Sequence, residues 1–234
     1  MQKDITKTIE EMFAVGAHYG YSKSRRHPST STYIYTTKQS GDIINLEKTA
    51  TLLQKAIDFM EKAGQEGKTI LFVGTKPEAR EMIKNTAESL EMPYVIERWI
   101  GGTISNFPEI KKRITELEDY RKDITEGNLE KYTKKERTVM AKKMERLSRY
   151  YSGLVGVKKI PDILFIIDSK KEHIATTEAN SFSLPIVALL NSDSNIKDVT
   201  YPVLANDATV PSIKFFTKEL SEAYKRGVSS PSAK

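Results

Sequence analysis

Residues 69–73, Thr69-Ile70-Leu71-Phe72-Val73, form an unbroken run of β-branched and apolar side chains. A strand with one wet face alternates polar and apolar residues, whereas a run with no alternation is covered on both faces, as the central strands of parallel sheets are. Two more such runs follow, Ile163-Leu164-Phe165-Ile166-Ile167 and Ile186-Val187-Ala188-Leu189-Leu190. Helical patterns separate them. Leu46, Leu53, Ala56, Ile57 and Met60 fall at helical spacing before the first run, Pro77 opens a helix after it, and residues 172–182 make a helix between the other two. A short strand at 201–204 and an amphipathic helix over 212–226 complete the alternation. The pattern predicts an α/β fold: one parallel sheet wrapped by helices on both faces.

Two segments break the rhythm. At residues 33–44, the pieces YIY and DII flank Lys38-Gln39-Ser40-Gly41, which predicts a β-hairpin near the N-terminus. Residues 107–150 hold thirteen Lys and Arg and nine Asp and Glu, so half the window is charged. Ile110, Ile114, Leu117 and Ile124 form one narrow seam there, interrupted by Arg121, and Met140, Met144, Leu147 and Tyr151 form another. With Gly127-Asn128 as the turn, these predict an antiparallel coiled-coil helical hairpin projecting from the sheet body; the alternative is a pair of surface helices lying on it. The expected organisation is a discontinuous body, 1–106 with 151–226, an insertion at 107–150 and a flexible tail at 227–234.

Composition narrows the function. Zero cysteines exclude a disulfide framework, a thiolate metal site and a cysteine nucleophile. Thirty-seven Lys and Arg against thirty-one Asp and Glu give a net charge of +6, which favours an anionic partner. A charged N-terminal segment and the lack of a long apolar run predict a soluble cytoplasmic protein with no membrane contact.

Catalytic motifs are weak. Gly67-Lys68-Thr69 has no first glycine at Lys62 and precedes its strand, so it does not fit a phosphate loop, and Gly74-Thr75-Lys76-Pro77 lacks dinucleotide-binding spacing. Asp193-Ser194-Asn195 starts like a calcium loop but lacks its glycine and distal glutamate. His18, His27 and His173 have no metal-ligand spacing, so no metal or cofactor is expected. The competing class is an α/β nucleotide-binding enzyme or switch using the strand ends near Gly74 and Asp168.

Nucleic-acid features are stronger. From His18 to Gln39 there is no acidic residue, while Lys23, Arg25, Arg26 and Lys38 interleave with Tyr19, Tyr21, Tyr33 and Tyr35. Cations for phosphates and flat faces for bases are the chemistry of an RNA-binding segment. Residues 131–149 carry eight basic side chains against two acidic, and Lys134, Lys135, Lys142 and Lys143 are the candidates there. A third stretch, Arg98-Trp99-Ile100-Gly101-Gly102-Thr103-Ile104-Ser105-Asn106-Phe107, reads as a junction into the insertion. Gly101 and Gly102 would turn the backbone, Asn106 or Ser105 would cap the first helix, Trp99 would pack the joint, and Arg98 remains an RNA candidate.

Several blocks, in order, resemble one known family. Ala17-His18-Tyr19-Gly20, Ile43-Ile44-Asn45-Leu46-Glu47-Lys48-Thr49, Ile70-Leu71-Phe72-Val73-Gly74-Thr75-Lys76, the Arg98–Phe107 stretch, Leu129-Glu130-Lys131-Tyr132-Thr133-Lys134-Lys135-Glu136, and Pro161-Asp162-Ile163-Leu164-Phe165-Ile166-Ile167-Asp168 running into Lys171-Glu172-His173-Ile174-Ala175 and Glu178-Ala179-Asn180 are similar to the small-subunit ribosomal protein S2 family of bacteria and organelles. The resemblance spans about residues 11–226. It implies a flavodoxin-like three-layer αβα body with a protruding coiled coil, and no catalysis or small-molecule substrate. It also implies a monomer within the small ribosomal subunit, on the solvent side between head and body, bound to 16S-type rRNA. Its implied protein neighbours are S3, S5, S8 and S1, which it helps to recruit. Tyr21, Arg26 and Pro211 stand where the family has histidine, tryptophan and arginine.

Overall fold

The structure, a computed structural model, describes residues 5–230. In chain order its elements are α1 (Ile5–Ala14), β1 (Tyr19–Ser22), β2 (Ile34–Lys38), β3 (Gly41–Ile44), α2 (Leu46–Gln65), β4 (Ile70–Val73), α3 (Pro77–Ser89) and β5 (Tyr94–Val95). There follow α4 (Phe107–Thr125), α5 (Lys134–Tyr151), β6 (Ile163–Ile167), α6 (His173–Ser181), β7 (Ile186–Leu190), β8 (Tyr201–Leu204) and α7 (Val210–Ser229). The three apolar runs become β4, β6 and β7 at the centre of a parallel sheet ordered β5-β4-β6-β7-β8. Its second strand lies outside its first, which is the flavodoxin-like order.

The unbroken apolar runs have a direct cause. Successive strand residues point to opposite faces, and both faces are covered. Ile70, Phe72, Ile163, Phe165 and Ile167 face one way, onto α2, α3 and α7, and the rings of Phe72 and Phe165 lie 5.1 Å apart across the β4–β6 pair. Leu71, Val73, Leu164 and Ile166 face the other way, onto Ala175 and Ala179 of α6 and onto Trp99, Ile104, Ile110 and Ile114. The base of the α4–α5 hairpin thus covers part of the sheet as an ordinary layer helix would. Each large side chain buried in this way contributes about 1.5–3 kcal/mol.

Several boundaries differ from the sequence reading. The N-terminal hairpin is the core of a three-stranded antiparallel sheet, β1-β3-β2, because the YGYS segment pairs with the free edge of β3. Its turn is Gln39-Ser40, both with positive φ. Helix α1 precedes it and buries Met12. Helix α7 runs three residues past Arg226, and a Cβ on Gly227 would sit 2.0 Å from the Glu61 carbonyl oxygen, so the glycine lets α7 cross close over α2. Only the tail's last four residues lie outside the described residues.

The two hairpin seams meet unevenly. Ile110, Ile114, Leu117, Met144 and Tyr151 are buried, but Ile124 is 54% exposed. The packing is tight near the body and opens toward the turn, and polar links flank the buried part of the seam: Lys143 pairs with Glu116 beside Leu117 and Met144, and Arg121, which interrupts the seam, donates to Ser148 Oγ at 3.3 Å. Gly127, with φ of 75°, ends α4, and Thr133 starts α5 with a reciprocal capping box to Glu136.

Candidate nucleic-acid interface

Because the five strands are parallel, the loops after β4, β5, β6 and β7 all emerge along one edge of the sheet, where doubly wound folds bind their ligands. In this chain that crevice is filled from within. Lys76, directly after β4, sends its ammonium into it, 2.7 Å from Asp168 Oδ2 and 2.9 Å from Asp207 Oδ2, and donates to the Asp207 carbonyl. Asn191 Nδ2 donates to the other Asp207 oxygen at 3.1 Å. Burial pushes the Asp207 carboxyl up to about 6 despite the lysine. Burial alone would lower the Lys76 pKa, but the two aspartates hold it well above the usual lysine range. Asp168, held at φ of 67°, accepts the Lys171 amide with Oδ1, so both its oxygens are committed. The strand-end aspartate that would serve an enzyme is one corner of a buried ionic cluster, and Lys76 occupies the position of a ligand cation.

The basic N-terminal loop is pinned to the same edge. Tyr21 N donates to Ser192 Oγ at 3.0 Å, and His27 N and Thr30 Oγ1 both donate to the Ser192 carbonyl at 2.8 Å. Lys23 N donates to the Ser40 carbonyl at 2.9 Å, which sets Lys23 against the β2–β3 turn that also carries Lys38. Both lysines are exposed and make no ion pair among the described residues. Arg25 lies over the Tyr21 ring at 4.2 Å and shares Asp193 with Lys170, yet 55% of its side chain remains exposed.

Arg26 is engaged within the protein. Its Nε donates to Asp42 Oδ2 at 2.7 Å, one amino group reaches Asp42 Oδ1 and Thr37 Oγ1, and Asp42 is 1% exposed. The hydrogen bonds from Arg26 lead a set that holds the Asp42 carboxyl below the ordinary carboxylate range. A guanidinium forked onto a buried carboxylate is a strut within the three-stranded sheet, not a free phosphate ligand.

On the hairpin, Lys134, Lys135 and Lys142 are exposed and unpaired among the described residues, whereas Lys143 is tied to Glu116. Arg98 is exposed and unpaired on the loop after β5. The sequence candidates therefore form three groups: the N-terminal loop, the outer face of α5 and the β5 loop.

The junction is organised by a residue to which the sequence reading gave no role. Glu178 of α6 accepts Gly102 N at 2.6 Å and Trp99 Nε1 at 3.4 Å with Oε1, and Ile104 N at 3.0 Å and Ser105 N at 3.3 Å with Oε2. Burial raises its pKa, but these donors more than offset that and leave it below the ordinary value. Asn106 stands at the start of α4 without a side-chain cap: the second helical residue, Pro108, has no N–H to give, and the Glu109 amide goes to the Asn106 carbonyl at 3.1 Å. Gly102 needs its glycine, with φ of 93°; Gly101 has no such demand. Trp99 is 4% exposed among Ile104, Ile110 and the second sheet face. No local signal links Glu178 to a loop some seventy residues upstream.

Comparisons with known proteins agree with this architecture. The profile of ribosomal protein S2 matches residues 12–227. The small ribosomal subunit protein uS2 of Helicobacter acinonychis is 38% identical over 220 residues, covering 94% of this chain and 89% of that protein. The proteins of the same name from Sulfurimonas denitrificans and Wolinella succinogenes are 37% and 38% identical, over 94% of this chain and 85% and 81% of theirs. Such identity across nearly the whole length, on a filled strand-end crevice and a cationic surface, establishes that the chain belongs to the ribosomal protein S2 family.

Proposed function

We propose that this protein is a non-catalytic structural constituent of the small ribosomal subunit and binds its rRNA through the cationic edge of the sheet and the outer face of α5. Membership in the family supports the first part. The observation that carries the second is the set of exposed cations, Lys23, Lys38, Arg98, Lys134, Lys135 and Lys142, none of which makes an ion pair among the described residues. Phosphate contacts from such groups give affinity that falls steeply with salt, at a slope of roughly −0.9 per neutralised phosphate on duplex RNA or DNA. Placement at the head–body junction, contacts with S3, S5 and S8, and support for S1 recruitment are the finer parts of this reading, and cross-linking of the purified subunit tests them.

The direct test is a salt titration of binding to in vitro transcribed small-subunit rRNA. Replacing Lys23, Arg25 and Lys38 together by alanine is expected to flatten the slope by about two to three. An unchanged slope with a folded variant would remove the N-terminal loop from the interface.

A further inference from the structure

Between the loop after β5 and the start of α6 lies a cavity of about 310 Å³ lined by Thr75, Arg80, Arg98, Trp99, Lys171, Glu172 and other residues of that edge. Its charges are not balanced locally. Arg80 and Arg149 share the single carboxylate of Glu97, at 3.3 and 3.0 Å. Glu172 is turned inward, accepting both the amide and the hydroxyl of Thr75, and is 4% exposed. Arg98 and Lys171, from segments more than seventy residues apart, reach the cavity with no ion pair among the described residues. Ile174, 42% exposed, supplies an apolar wall beside them. Two unpaired cations on a concave site beside an apolar wall match one phosphodiester with its sugar, a more specific contact than a cation on a flat helix face offers.

We propose that this cavity seats a single backbone phosphate of an RNA strand between Arg98 and Lys171, with the adjoining ribose against Ile174. The proposal rests on the rRNA-binding reading and adds a discrete site to it. Trp99 is the only tryptophan in the chain and lines this cavity, so its fluorescence reports occupancy.

The experiment titrates in vitro transcribed small-subunit rRNA into the full chain, reading Trp99 emission and filter binding together, for the native protein, the R98Q/K171Q variant and a K55Q control on α2, which covers the opposite face of the sheet. The expected result is an emission change in the native protein and the control that is lost in R98Q/K171Q. The R98Q/K171Q variant should also lose about one unit of salt slope and bind about tenfold more weakly near 0.1 M salt. Normal binding by R98Q/K171Q, with the emission change retained, would overturn the pocket while leaving the rRNA reading intact. No binding by the native protein would overturn both. An equal emission response to inorganic phosphate alone, abolished by R98Q/K171Q, would assign the cavity to a free anion and overturn the RNA site. Matching unfolding midpoints among the three proteins exclude misfolding as the cause.

Discussion

Replacing Glu178 by glutamine keeps the shape of the side chain and removes its charge. The carboxylate accepts four donors, two on each oxygen, and one of them is the amide of Ile104, which is 1% exposed. A glutamine oxygen can keep one pair, Gly102 and Trp99, but its amide group then meets the N–H groups of Ile104 and Ser105. Ser105 is exposed, so water replaces that bond at little cost. Ile104 has no such recourse, and a buried donor left unmade costs about 1–3 kcal/mol, with a further loss from turning charge-assisted bonds into neutral ones. The expected destabilisation of E178Q is about 2 kcal/mol, or roughly 4–8 °C in Tm for a domain of this size. The pH dependence has a definite sign. The folded pKa of Glu178 lies below its ordinary 4.5, so its contribution is fully present above that value and is lost as pH falls through the folded pKa. The gap between native protein and E178Q should therefore hold steady from pH 7 down to about 5 and close in more acidic buffer. Thermal unfolding followed by circular dichroism measures the gap, and Trp99 emission shows whether the junction loosens first. A gap under about 0.5 kcal/mol, or one that does not change with acid, would refute the view that Glu178 holds the junction.

Other substitutions separate support from binding. Lys76→Met should cost about 3–5 kcal/mol at pH 7 by leaving Asp168 and Asp207 facing each other in the strand-end crevice. Burial already raises the Asp207 carboxyl to about 6 with Lys76 beside it, and loss of the ammonium raises it further, so acid neutralises the repulsion and the deficit in chemical unfolding should shrink as pH falls, starting above 6. Arg26→Ala should lower stability by about 2 kcal/mol through the stranded Asp42 while leaving the salt slope of RNA binding nearly unchanged. Lys23→Ala should do the opposite, flattening the slope by about one with no shift in Tm.

The apolar runs at 70–73, 163–167 and 186–190 were legible because burial on both faces leaves no polar residue in the strand, and that signal is local. The burial of Trp99 and a helix starting at Phe107 were legible for a similar reason, since a large aromatic and a glycine pair announce a joint. Arg26 misled because basic residues in an acid-free window look alike in sequence; its partner Asp42 lies sixteen residues away and meets it only through sheet pairing. Lys76 and Glu178 fall in blocks that resemble the family, but nothing in the sequence shows the contacts they make. Each acquires its role from neighbours that parallel β connections bring together across 70 to 130 residues, and spacing along the chain does not encode that proximity. The hairpin seam was half legible: heptad spacing identified Ile110, Ile114 and Leu117, but whether Ile124 is covered depends on how far the two helices stay in contact.

The central claim is that this chain is built into the small ribosomal subunit. It is tested most directly by fractionating a native lysate on a sucrose gradient and tracking the protein through the particle peaks. The protein is expected to travel with the small subunit and the assembled ribosome at low salt and to be released as salt rises. Recovery only in the soluble fractions at the top of the gradient, at every salt concentration, would contradict it.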